Sequence, residues 1–129
     1  MSVIQYLSEC ELCNIDLEIR EALCPMCLTQ KIMKGKWKIV ILWLLKDETL
    51  RFSEIKRAIP NVTQTYLSSQ LKALTMDKMI IRKSYNQVPP KVEYSLTETG
   101  KRLITVLNHM DTWGQEYIRE YVMPLKMNS

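Results

Sequence analysis

The stretch from Asn61 to Leu74, NVTQTYLSSQLKAL, decides the fold of this chain. Its apolar residues recur at the spacing of one helical face, and its polar residues fall on the opposite face. The apolar set is Val62, Leu67, Leu71 and Leu74, and the polar set is Gln64, Thr65, Ser68, Ser69 and Lys72. A helix that only meets water usually carries Glu and Lys pairs four residues apart, which this stretch lacks. We therefore expect the polar face to contact a partner rich in hydrogen-bonding groups, such as the edges of DNA bases.

A shorter helix is predicted just before this stretch, within RFSEIKRAIP (Arg51 to Pro60). Ser53 is its expected N-cap, and Pro60 disfavours its continuation. After a tight turn, Thr63 is the expected N-cap of the second helix. Two helices in this order, the second with a polar outer face, form a helix-turn-helix motif.

The segments Ile80–Tyr85 and Lys91–Leu96 alternate between apolar and polar residues, as strands do, around the tip NQVPP. A helix-turn-helix followed by a basic hairpin is the winged-helix layout, in which the hairpin is the wing. The polar residues of the second helix are then expected to read bases, with Gln64, Thr65, Ser68 and Ser69 facing the major groove. Basic residues of the motif and wing are expected to hold phosphates, namely Arg51, Lys56, Lys72, Arg82, Lys83 and Lys91.

Charge is distributed unevenly along the 129 residues. Residues 1–30 contain one basic and five acidic residues, a net charge of −4, whereas residues 31–91 contain thirteen Lys or Arg against four Asp or Glu, a net charge of +9. A solvated basic surface would account for this charge, but a polyanionic partner for the middle of the chain is favoured.

The longest apolar run, Ile39 to Leu45, is too short to span a bilayer and is predicted to lie in a buried helix from Lys36 to Lys46. No secretory signal is visible, so a cytoplasmic protein without a membrane partner is expected.

A long final helix is predicted from Thr97, its expected cap, with Gly100 tolerated in the first turn. Its broad apolar stripe consists of Leu103, Val106, Leu107, Met110, Trp113, Tyr117 and Tyr121. Packing of the stripe onto the chain's own core is one possibility; a symmetric homodimer on an inverted-repeat operator is the favoured one. The predicted fold is mostly α with a small β-hairpin, and dimeric through the N-terminal segment and this helix. Its parts are a cysteine-containing leader (1–27), the winged helix-turn-helix (28–96) and the dimerisation helix and tail (97–129).

The run PPKVEYSLTETG (Pro89 to Gly100) resembles the HxlR-type winged helix-turn-helix transcriptional regulators. Further points of resemblance are Cys24-Pro25, Gly35-Lys36-Trp37, RFSEI and Trp113-Gly114. The resemblance implies a dimeric DNA-binding regulator of bacteria or archaea, and we expect a repressor. It also implies that Cys24 is a candidate sensor of oxidants or electrophiles. Lys78 stands where the family usually has a glycine after the second helix.

Four cysteines form the array C-x2-C-x10-C-x2-C, made of Cys10, Cys13, Cys24 and Cys27. Four thiolates in two such pairs can close a tetrahedral zinc site, provided that the chain reverses direction between the pairs. Alternatively, Cys24 precedes Pro25 at an expected helix start, where the helix dipole lowers a thiol's pKa and makes it reactive. Zinc binding, a thiol switch and plain buried cysteines all remain open.

Other function classes are less well supported. A thiol oxidoreductase would need a βαβ context for its CxxC pair, and none is recognisable, so no enzyme is expected. A zinc-stapled interaction module without DNA binding is disfavoured by the polar face of the second helix. His109, the only histidine, is expected on a surface or an interface, and a Met-lined pocket beneath the wing would admit a small effector.

Overall fold

The computed structural model describes residues 23–127. The chain divides into two compact units, Met1–Lys36 and Trp37–Ser129. Cys10 and Cys13 lie outside the described residues. The predicted boundary between residues 27 and 28 falls within a helix, whereas the two units separate after Lys36.

Helix α1 (Pro25–Met33) is the described element of the first unit. It begins at Cys24, the N-cap, and proline occupies its first turn, where a missing N–H costs nothing. The helix ends before Gly35, whose φ of 133° lies in the region that favours glycine.

The second unit is mostly helical, with one small antiparallel sheet. Its elements in chain order are α2 (Lys38–Leu44), β1 (Leu50–Arg51), α3 (Phe52–Ala58), α4 (Gln64–Met76), β2 (Ile80–Tyr85), β3 (Lys91–Leu96) and α5 (Glu98–Tyr117). A π-helical turn (Ile118–Val122) follows and leads into α6 (Met123–Met127). The strand order is β1-β3-β2, so β3 is central. The predicted hairpin is confirmed with its predicted bounds, whereas β1 was not anticipated.

The core of this unit is formed by apolar residues from the elements between α2 and α5. Its most deeply buried side chains are Ile41, Leu42, Ile55, Ile59, Leu67, Leu71, Leu74 and Ile80. Leu67, Leu71 and Leu74 are the residues that the periodicity of the opening stretch predicted as buried. The core thus fixes α4 by one face and leaves its other face outward.

The start of α3 differs from the prediction. Ser53 is not the N-cap: the helix begins at Phe52 after Arg51, and the Glu54 carboxylate accepts a hydrogen bond from the Arg51 backbone N–H at 2.9 Å. Glu54 can accept this bond because a carboxylate at the third helical position reaches back to the backbone N–H of the N-cap residue, which here is Arg51. Between α3 and α4, Asn61 turns the chain with a φ of 63°. Thr63 then caps α4 as predicted, its Oγ1 accepting from the Tyr66 N–H at 3.1 Å.

The exit from α4 requires a left-handed residue, and Lys78 takes that conformation with a φ of 62°. The Met79 N–H donates to the Leu74 carbonyl at 2.9 Å and so closes the end of the helix. This geometry explains why a glycine is expected there: a residue with a Cβ pays about 1 kcal/mol in this region. We therefore expect lysine to make this turn less stable than glycine would.

The start of α5 is tied to this same turn. Thr97 donates its backbone N–H to the Met79 carbonyl at 3.1 Å and its hydroxyl to the Lys78 carbonyl at 2.7 Å. The Thr97 Oγ1 in turn accepts from the Gly100 N–H at 3.0 Å, which confirms Thr97 as the cap. Gly100 is buried, and a Cβ at this position would overlap the Met79 carbonyl oxygen. Gly100 is therefore required for this contact, and is not merely tolerated as the sequence suggested.

Candidate nucleic-acid interface

The outward face of α4 carries the predicted base-reading residues. The side chains of Gln64, Thr65, Ser68, Ser69 and Lys72 are all exposed. Gln64 is the first residue of the helix, and the N-terminal part of a recognition helix is the part that contacts base edges. The face is thus presented by a helix whose opposite side is locked in the core.

Two features of this face were not anticipated. Ser69 Oγ donates to the Tyr66 carbonyl of its own helix at 2.7 Å, so its hydroxyl proton is already used and its lone pairs remain to accept. Tyr66 itself is exposed on the outer side of the first turn, 37% accessible. Tyr66 was not predicted as a site residue, because a tyrosine in an amphipathic helix is usually part of the core.

The predicted phosphate-binding cations divide into two groups. Arg51, Lys56, Lys72, Arg82 and Lys83 are exposed. The Lys91 side chain is only 25% accessible, and its Nζ lies 2.8 Å from Glu93 Oε1. Five of the six cations therefore face solvent, and the sixth is paired.

A cluster on the outer side of the hairpin surrounds this pair. We call it the wing-base cluster; it consists of Lys83, Tyr85, Lys91 and Glu93. The Tyr85 hydroxyl donates to Glu93 Oε2 at 3.1 Å. The ammonium groups of Lys83 and Lys91 lie 5.0 and 4.8 Å from the Tyr85 ring centroid, within cation–π range. The hydrogen bond from Lys91 is the main reason why the pKa of the Glu93 carboxyl lies below its ordinary value.

In the part of the chain that the structure describes, most of the apolar stripe of helix α5 remains accessible to solvent. Leu107 is the one large apolar residue of α5 that is fully buried, whereas Trp113 is 65% and Tyr117 47% accessible. The rings of Trp113, Tyr117 and Tyr121 follow one another along the helix, with centroids 5.4 and 5.1 Å apart. A groove of about 370 Å³ runs beside this ladder between α2 and α5, lined by residues that include Val40, Trp43, Met110 and Ile118. This groove lies away from the wing, where a Met-lined pocket was expected, and includes one methionine.

Cys24 is buried and caps α1. Its Sγ accepts from the Cys27 N–H at 3.4 Å. The pKa of the Cys24 thiol lies below its ordinary value, first because the Cys27 side chain hydrogen-bonds to it and then because of the Cys27 and Met26 backbone N–H groups; burial acts in the opposite direction. The helix start predicted at this residue is confirmed, and its N–H groups stabilise the thiolate.

The zinc site predicted from all four cysteines needs Cys10 and Cys13, so it lies outside the described residues. Between residues 23 and 127, no three His, Cys, Asp or Glu side chains come together in a metal-binding arrangement. His109 is exposed on α5, as expected. No helix within the same part of the chain has the length and apolar character needed to cross a membrane.

A helix-turn-helix whose second helix presents a polar face, followed by a basic hairpin, defines a winged-helix DNA-binding protein. Residues 32–122 match the HxlR-like helix-turn-helix family, so the chain belongs to this family. It is accordingly a DNA-binding transcriptional regulator, and the resemblance found in PPKVEYSLTETG is confirmed.

Relatives agree with this assignment. The chain is 48% identical over 94 residues to YdeP of Bacillus subtilis (strain 168), named an uncharacterized HTH-type transcriptional regulator, covering 73% of each protein. It is 44% identical over 102 residues to an uncharacterized HTH-type transcriptional regulator of Methanothermobacter thermautotrophicus, covering 79% of this chain and 78% of that one. Among solved structures, the redox regulator HypR in its reduced form is 40% identical, with a TM-score of 0.72, covering 76% of this chain and 96% of HypR.

Proposed function

We propose that the protein works in the cytoplasm as a homodimer that recognises an inverted repeat in duplex DNA and responds to thiol oxidation. The observation that carries the dimer is the aromatic ladder of α5 and the turn that follows it, which residues 23–127 of one chain leave exposed. A two-fold symmetric pair would bury this surface. It would also set two copies of α4 about 34 Å apart, the distance between successive major grooves on one side of DNA.

Base reading is assigned to Gln64, Thr65, Ser68 and Ser69. Their common exposure on one face of α4 supports this assignment, as does the position of Gln64 at the helix start. A glutamine side chain can form two hydrogen bonds to adenine, in which its amide N–H donates to N7 and its amide oxygen accepts from the N6 amino group. Gln64 is therefore assigned to an adenine. Arg51, Lys56, Lys72, Arg82 and Lys83 are assigned to phosphates, together with Lys91, whose ammonium is shared with Glu93.

Replacing Gln64 by alanine is expected to cost about 1–3 kcal/mol of binding at one base pair of the operator, because a bidentate contact to one base is lost. The measurement is a titration of the purified protein with the operator and with variants substituted at single positions. Lys83→Ala is the matched control, since loss of a phosphate contact weakens all sequences alike and flattens the salt dependence. A Gln64→Ala protein that binds every operator variant with the same proportional loss would contradict the assignment to a base.

The thiol response is assigned to Cys24. Its lowered pKa and its place at the start of α1 support this, and the structurally similar HypR is named a redox regulator, with both reduced and oxidised forms solved. In the proposed reaction the Cys24 thiolate attacks one oxygen of hydrogen peroxide, the O–O bond breaks, and hydroxide leaves as a sulfenic acid forms. Because the side chain is buried, the start of α1 must open before the peroxide reaches it.

Treatment with hydrogen peroxide is expected to change the affinity for operator DNA by about tenfold, within the usual range of coupling between two sites. Mass spectrometry should locate the modification, as a sulfenic acid or a disulfide, at Cys24. In a Cys24→Ser protein the same treatment should leave DNA affinity unchanged. Equal affinities of the reduced and oxidised wild-type protein would remove the thiol response from the proposal.

A further inference from the structure

We infer that Glu93 holds the ammonium group of Lys91 and so weakens the contact between the wing and the DNA backbone. A larger fraction of the binding free energy then depends on the base sequence. This inference rests on the proposed mode of DNA recognition. It concerns the wing-base cluster, which holds the one acidic residue of the hairpin strands, β2 and β3.

The sheet register places Glu93 between two cations. In β2 it pairs with Lys83, and in β1 it pairs with Arg51. Directly paired residues of neighbouring strands point to the same face, with Cβ atoms about 5 Å apart. One carboxylate therefore lies at the centre of a row of positive charge that crosses all three strands.

Both oxygens of Glu93 are engaged. Oε1 is 2.8 Å from Lys91 Nζ, and Oε2 accepts from the Tyr85 hydroxyl at 3.1 Å. The Tyr85 ring also lies close to both the Lys83 and Lys91 ammonium groups. The carboxylate is thus held in place from two sides, and Lys91 is directed toward it and partly withdrawn from solvent.

The position of the pair along the hairpin gives it a consequence for binding. Tyr85 and Lys91 form the last register pair before the tip, at the end of the wing that approaches DNA in winged-helix proteins. A phosphate arriving there meets a lysine that is already neutralised and a carboxylate that repels it. Phosphate contacts carry no sequence information, and a genome offers a vast excess of non-specific sites. Weakening one such contact therefore favours the operator over other DNA.

The test compares wild-type protein with Glu93→Gln and Glu93→Thr in binding to a duplex of random sequence, followed by fluorescence anisotropy between about 50 and 200 mM salt. Both variants remove the charge, and threonine also suits a strand. Each is expected to bind about three- to tenfold more tightly than wild type at the lowest salt, because Lys91 is released and a nearby negative charge is gone. The slope of log affinity against log salt should steepen by about 0.9, the value for one additional neutralised phosphate.

Two controls separate this role from a purely structural one. Adding Lys91→Gln to the Glu93→Gln protein should abolish the gain, because the released ammonium group is then missing. Tyr85→Phe removes a hydrogen bond to Glu93 without changing charge, and should leave the salt slope unaltered.

The outcomes that overturn the inference are specific. An unchanged slope in both Glu93 variants overturns it, and so does a gain that survives the additional Lys91→Gln substitution. If the two Glu93 variants and Tyr85→Phe each bind DNA more weakly than the wild type, Glu93 only stiffens the wing, and the inference is wrong. Failure of the wild-type protein to bind any duplex at low salt would instead overturn the proposed function.

Discussion

Replacing Gly100 by alanine is expected to lower the free energy of unfolding by about 3 kcal/mol, in the upper range for overpacking substitutions. The added methyl group would overlap the carbonyl oxygen of Met79, which is part of the backbone and cannot rotate away. The same carbonyl accepts the Thr97 N–H, so a shift of either partner also disturbs the cap of α5. The net loss is expected even though alanine in place of glycine favours a helix by about 1 kcal/mol.

Gly114 in the same helix provides the matched control. Among the described residues, a methyl group at that position would meet no heavy atom within 4 Å outside its chain neighbours and the adjacent backbone of its own helix. Gly114→Ala should therefore show only the gain in helix propensity, up to about 1 kcal/mol. Both variants are compared by urea denaturation followed by circular dichroism. If Gly100→Ala is as stable as Gly114→Ala, the close contact between α5 and the turn after α4 is not as described.

The second large effect is expected from Trp113→Glu, which should raise the dissociation constant of the proposed homodimer by about 100-fold, as loss of an interface tryptophan typically does. Trp113 begins the aromatic ladder and is 65% accessible within one chain, so a charge there leaves the monomer folded. In the proposed dimer the same charge would be buried without a partner. Operator affinity should fall in parallel, because a monomer contacts one half-site only.

Sedimentation equilibrium measures the dimer, and titration with operator DNA measures the consequence. Thr112→Glu places the same charge on the neighbouring residue, which is exposed and lies about 100° away from Trp113 around the axis of α5. It should dimerise as the wild type does. A Trp113→Glu protein that dimerises and binds DNA normally would exclude the aromatic ladder as the dimer surface.

Much of the fold was predictable because it depends on local patterns. The periodicity around Leu67 and Leu71 identified the buried face of α4, and the alternation around the NQVPP tip located both strands of the hairpin. Thr63 and Thr97 were recognised as caps because a hydroxyl at the N-cap satisfies an N–H of the first turn wherever it occurs. These features need only neighbours in the chain.

The features that were missed depend on residues far apart in sequence. Strand β1 has two residues, Leu50 and Arg51, and no pattern can be recognised in so short a segment; it exists because β3 pairs with it. The need for Gly100 comes from Met79, twenty-one residues earlier. Ser53 was predicted as the N-cap of α3, but Arg51 holds that position and Glu54 accepts its backbone N–H, an arrangement that only the geometry of the first turn decides.

The candidate site shows the same division. The exposed face of α4 followed from periodicity alone, since the residues opposite a buried stripe must face outward. The ion pair between Lys91 and Glu93 was partly predictable, because the two residues are two positions apart and share one face of a strand. Tyr85 joined the cluster only when the register set it opposite Lys91. The sequence predicted Lys91 as a cation available to phosphates. Because Glu93 neutralises it, this prediction overstates the positive charge that the wing presents to DNA.

The strand order β1-β3-β2 has one more consequence, for how the protein behaves at high concentration. β2 lies at an edge of the sheet, so one row of its backbone N–H and C=O groups meets no neighbouring strand. Such edges invite pairing with another molecule, and adjacent positive charges discourage it by mutual repulsion. Arg82 and Lys83 lie in the middle of this strand and are exposed. The same two side chains that are assigned to DNA thus also oppose edge-to-edge aggregation when no DNA is bound.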